Sequence, residues 1–101
     1  MKNFRTYQLA LELYQKGIKV KVSCRILRDQ YQRALLSIVL NVAEGSGKGR
    51  SNDRRRFYEI AMGSLREVQA LLTILDEKDL FAKADQIGAH LYKLIQNPGG
   101  S

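Results

Sequence analysis

Ala34-Leu35-Leu36-Ser37-Ile38-Val39-Leu40-Asn41-Val42-Ala43 is the stretch that decides the fold. Only Ser37 and Asn41 interrupt its apolar character. It is far shorter than the roughly 20 residues that span a bilayer. A helix apolar on every side is expected to be buried on every side. Asp29 is placed to cap this helix or to fill its first turn, and the helix runs to about Glu44. Gly45-Ser46-Gly47-Lys48-Gly49 then ends it, since glycine stops helices and permits positive φ.

Outward from this segment the spacing stays helical. Phe4, Tyr7, Leu11, Tyr14 and Ile18 form one stripe, with Ala10, Leu13, Gly17 and Val20 beside it, so a first helix is predicted from Phe4 to Val22. Residues 23–28 read as a connection. Ser51 or Asn52 can cap a third helix that carries Asp53 in its first turn. Phe57, Ala61, Ser64, Val68, Leu71 and Leu75 extend that helix to about Asp76. After a polar turn over residues 77–80, Ala84, Ile87, Leu91, Leu94 and Ile95 line a shorter fourth helix. No strand-like alternation reaches useful length. The fold predicted is all-α, an up-and-down antiparallel four-helix bundle over residues 1–97, with a flexible C-terminal tail over 98–101.

The chain has 101 residues and a net charge of +7. Residues 16–56 hold eleven basic side chains against Asp29, Glu44 and Asp53, a net +8, so one part of the chain carries the whole excess. Such asymmetry points to a polyanion, most simply nucleic acid. Lys48, Arg50, Arg54 and Arg55 are the candidate phosphate contacts, and Tyr58 beside them is a candidate for base stacking. Three successive arginines cannot share one helix face; Arg56 is expected to be the inward one, paired with Glu44 across the glycine-rich turn.

Ser37, Asn41 and Glu44 share a face, as do Ser64 and Glu67; with Arg56 they are expected to form a structural polar network. No nucleophile–base arrangement stands out, and the glycine-rich loop lacks Walker A spacing, so catalysis is not expected. With Cys24 and His90 each alone, neither a metal site nor a cofactor is expected. The opening Met-Lys-Asn-Phe-Arg is not a signal sequence, which leaves a cytoplasmic location as the expectation. Surplus apolar surface on the first two helices predicts a homo-oligomer.

Several of these residues carry a resemblance. Arg33-Ala34, Ser37-Ile38, Asn41-Val42-Ala43-Glu44-Gly45-Ser46-Gly47, Arg56-Phe57, Ala61, Gly63-Ser64-Leu65 and Glu67, with the opening Phe4-Arg5-Thr6-Tyr7-Gln8-Leu9-Ala10, are similar to the bacterial intervening-sequence proteins encoded within large-subunit ribosomal RNA genes. That four-helix-bundle family includes relatives of the accessory variability determinant of diversity-generating retroelements. The chain departs from it at Val22-Ser23-Cys24-Arg25, where a proline-containing link is usual. The resemblance implies a homopentamer without enzyme activity. Its retroelement relatives imply binding to nucleic acid, RNA or RNA/DNA, and to a reverse transcriptase. The alternative reading is a protein-interaction scaffold encoded in a ribosomal RNA intervening sequence, with no direct nucleic-acid role.

Overall fold

Gly17 sets the end of the first helix. Its carbonyl accepts a hydrogen bond from the buried Tyr31 hydroxyl at 2.8 Å, and Lys19 and Val20 turn back onto the Lys16 and Gly17 carbonyls. In the computed structural model, which describes residues 4–99, α1 therefore spans Phe4–Gly17 and does not continue to Val22. Val22 is instead buried and pins the connection to the core. α2 (Arg25–Gly47) begins earlier than predicted, with Cys24 at its N-cap position, so Asp29 lies inside the helix and caps nothing.

At its other end α2 runs through Gly45 and Ser46, both buried, to Gly47. The helix ends within the predicted glycine-rich stretch, three residues beyond Glu44, and no glycine among the described residues has positive φ. α3 (Ser51–Ile74) has Arg50 at its N-cap position, so Ser51 and Asn52 occupy its first turn; Asp53 lies there as predicted. α3 closes on Asp76, whose φ is 57°. Glu77 N–H donates to the Leu72 carbonyl and Asp76 N–H to that of Thr73, the paired bonds of a Schellman closure. α4 (Lys78–Gln96) follows at once. It is shorter than α3, as predicted.

Each helix packs on two neighbours, in the cyclic order α1–α2–α3–α4, and the most extensive contact is α2 on α3. With short connections this is the antiparallel four-helix bundle, 41 Å long and about 20 Å across. Leu9, Leu13, Tyr31, Leu35, Ile38, Val42, Tyr58, Leu65, Leu72, Ile87 and Leu91 fill its centre. Between α1 and α4, Glu12 bonds Lys83 at 2.6 Å. That bond, with a second from Lys16, holds the Glu12 carboxyl below its ordinary range.

Two predicted faces differ. The inward line of α1 is Thr6, Leu9, Ala10, Leu13 and Gly17. Phe4 is 54% and Ile18 37% exposed. α2 is not buried all round, since Leu36 is 42% and Leu40 53% exposed. A four-helix ring covers only the inward side and the two flanks of each member. Because Glu12 faces α4 and Ser37 bonds Ser64 of α3, these four exposed residues lie on the α1–α2 side, spread along its length. The tail predicted from residue 98 begins with a buried Pro98, and Gly99 lies beside Ser51 of α3; residues 100 and 101 lie outside the described residues.

The glycines make a paired test. A Cβ at Gly45 would sit 2.7 Å from Cε1 of the Tyr58 ring, whereas one at Gly63 would meet nothing within 4 Å. Alanine gains about 1 kcal/mol over glycine in a helix, and overpacking costs about 1–3 kcal/mol. Gly63→Ala should raise the melting temperature and Gly45→Ala should lower it. A rise for both would mean that Tyr58 yields freely.

Tyr31 gives a pH signature. Burial, with a smaller contribution from Glu77, pushes its phenol up to about 12. The unfolded value is about 10. The folded group therefore favours its proton: the stabilisation is complete below pH 10 and is lost as pH rises through 12. Tyr31→Phe should cost about 1 kcal/mol near neutrality, from the missing bond to Gly17, and should flatten that alkaline decline. Urea titrations across the window read both effects.

Candidate nucleic-acid interface

The α2–α3 connection, residues 48–50, lies at the end of the bundle shared by the start of α1 and the close of α4. Five of the basic side chains singled out in the sequence cluster here, in distinct environments. Arg54 is buried, 7% exposed, and its guanidinium faces back across the connection. One terminal nitrogen donates to the Lys48 carbonyl at 2.9 Å and the other approaches the Ser51 hydroxyl at 3.5 Å. Its Nε, also buried, has no hydrogen-bond partner among the described residues. Arg54, Tyr58, Ala61, Leu65, Val68 and Leu72 form one inward line of α3. The inward arginine is thus Arg54 and not Arg56, because the helix turns its core face toward this line rather than toward Phe57 and Leu75.

Arg56 is exposed and lies over the Phe57 ring, with its Cζ 5.4 Å from the centroid. Lys48 approaches the same ring, with Nζ at 5.2 Å. The expected Arg56–Glu44 pair is not made. Glu44 faces solvent and meets Lys48, just past the end of the helix, at 3.6 Å. Arg55 is half-buried, and its Nε donates to the Ile95 carbonyl at 3.1 Å, tying α3 to the unsatisfied carbonyls that close α4. Arg50 is exposed. Tyr58 is fully buried, with its hydroxyl 3.4 Å from that of Ser46, so it presents no face for a base to stack on.

Of the six residues expected in a polar network, three come together. Ser37 and Ser64 share a hydrogen bond of 2.7 Å between α2 and α3. Asn41 donates to the Ser37 carbonyl at 2.8 Å and to its hydroxyl at 3.1 Å. Glu44, Arg56 and Glu67 are exposed and outside it. Serine is short enough to let α2 and α3 approach, and the two hydroxyls satisfy each other at the contact.

The outward charge at this end therefore rests on Lys48, Arg50 and Arg56, while Arg54 and Arg55 hold the surface in shape. Arg56 is the member that sequence reasoning assigned inward. The signal that could have placed it is the alternative line Tyr58, Ala61, Leu65, Val68 and Leu72, whose four-residue extension backwards reaches Arg54. Among the described residues no group of three or more His, Cys, Asp and Glu could hold a metal ion, and no helix is long and apolar enough to cross a membrane.

These features define a small all-helical bundle, with a basic end built on the junction of its two longest helices. The 23S rRNA-intervening sequence protein family model matches residues 2–97 of the chain, and the protein belongs to that family. Comparisons with curated proteins and with solved structures each return no match.

Arg54 and Glu44 reverse the sequence expectation in a measurable way. Arg54→Ala removes buried packing and leaves the Lys48 carbonyl without its donor, a loss of about 2 kcal/mol. Glu44→Ala breaks only an exposed pair four residues apart and should shift stability by no more than about 0.5 kcal/mol. Equal losses in thermal denaturation would return Glu44 to a buried network.

Proposed function

We propose that the chain is a non-enzymatic, basic nucleic-acid-binding protein that acts in the cytoplasm as a homo-oligomer. The observation that carries this reading is the end of the bundle at the α2–α3 junction. There Arg50 and Arg56 are exposed, and only Lys48 of the three outward cations has a carboxylate partner among the described residues. Phosphate contacts by such side chains supply sequence-independent affinity for RNA or RNA/DNA. No stacking residue is proposed at this end, so the backbone is what is recognised.

The exposed Phe4, Ile18, Leu36 and Leu40 support self-association through the α1–α2 side. Several copies would repeat the basic end and multiply modest contacts. The resemblance to retroelement accessory proteins adds the homopentamer and a reverse transcriptase as partner. The same apolar side favours the second reading, a protein-interaction scaffold encoded in a ribosomal RNA insert with no direct role on nucleic acid.

Anisotropy titrations of a structured RNA across salt concentrations separate the two readings. The plot of log K against log salt should slope steeply. Lys48→Ser with Arg50→Ser should reduce that slope by about 2, with the oligomer unchanged in light scattering. An intact oligomer that binds no RNA at low salt would favour the scaffold. A monomer at micromolar concentration would remove the assembly.

A further inference from the structure

The α1–α2 connection, at the opposite end of the bundle, encloses an open notch of about 590 Å³. Lys19, Lys21, Arg28, Ser23 and Gln32 supply its polar wall, and aliphatic side chains of the connection supply the rest. No carboxylate lines it. Asp76 and Glu77 occupy the α3–α4 turn and Asp79 the first turn of α4 at the same end, outside that wall. Among the described residues the flanking cations Lys16 and Arg25 pair with Glu12 and Asp29, but Lys19, Lys21 and Arg28 form no ion pair.

The wall has fixed points. Val22 is buried, the Lys19 and Val20 amides are bonded back to α1, and an Arg28 terminal nitrogen reaches the Val22 carbonyl at 3.4 Å. The backbone that carries these three like charges is thereby fixed around one concavity. A bound anion would relieve their mutual repulsion, and aliphatic surroundings strengthen that attraction relative to open water. A phosphate group answers the charge better than a carboxylate, because it carries more charge and offers oxygens to two ammonium groups, a guanidinium and the neighbouring hydroxyl and amide donors.

We propose that this notch is a second anion site, which takes a phosphate group and is independent of the Lys48–Arg50 surface. The bundle is 41 Å long, so the two lie too far apart to share one phosphate. Phosphate groups could come from an internal nucleic-acid diester, a terminal monoester or a free phosphate.

The test is an NMR titration of the full chain with inorganic phosphate, at constant ionic strength, followed through its ¹⁵N–¹H amide signals. The amides of residues 19–23 should shift saturably, with equal affinity when Lys48→Ser and Arg50→Ser are present. Lys19→Gln with Lys21→Gln should weaken binding about tenfold, and Lys19→Arg with Lys21→Arg should retain it. These side chains are exposed, so unchanged signals from the core confirm that each variant is folded. Non-saturating drift, or an undiminished response in the glutamine variant, would overturn the site. Short oligonucleotides with and without a 5′-phosphate identify the source. Shifts with both support an internal diester, shifts with the phosphorylated one alone support a terminal monoester, and shifts with inorganic phosphate alone support a free ligand. Because the readout is local to residues 19–23, loss of RNA binding at the other end leaves this result unaffected.

Discussion

The bundle depends on the absence of a side chain at Gly45. That absence lets the Tyr58 ring lie against the α2 backbone at a distance where a Cβ would collide with it. Tyr58 is then fully buried, and the α3 line that contains it turns inward along its length, from Arg54 to Leu72. The Ser37–Ser64 hydrogen bond, farther along the same pair of helices, satisfies its two hydroxyls at a second point of contact. α2 and α3 make the largest interhelical contact for these reasons, and α1 and α4 complete the ring around them.

The same constraint shapes the basic end. With Tyr58 inward, Arg54 one turn earlier is carried inward too. A buried guanidinium has a high desolvation cost, offset only in part by the Lys48 carbonyl. The arginine run is thus divided by the helix into three jobs: Arg54 braces the connection, Arg55 ties down α4, and Arg56 faces solvent above Phe57. A surface braced in this way presents Lys48 and Arg50 from a short, tethered connection and not from a flexible loop. That favours phosphate contacts of fixed geometry.

Much of this was legible in the sequence. Helical spacing gave the number and order of helices, and the α4 stripe from Ala84 to Leu94 is buried as read. The errors have two physical sources. Glycine predicts a helix stop with positive φ, yet Gly45 is helical and α2 ends only at Gly47, because close packing and not positive φ is what this junction requires. The face of α3 was set by Phe57 and Leu75, when two apolar lines overlap at Ala61 and Val68 and only contact with α2 selects between them. The positions of Arg54, Arg56 and Tyr58 all follow from that choice, so one ambiguous rotation misplaced three candidate site residues. The surplus apolar sides of α1 and α2 have no cover within one chain; a pattern of hydrophobicity does not say which molecule supplies the burial.

The central claim is that the α2–α3 junction is a braced element on which the basic surface is built. Amide hydrogen exchange on the full chain tests it most directly. The Lys48 and Arg54 amides, which donate to the Gly45 and Arg50 carbonyls, should exchange slowly, with protection approaching that of the α3 core at Ala61 and Leu65. Exchange at those two amides as fast as in an unstructured glycine-rich peptide would contradict the account.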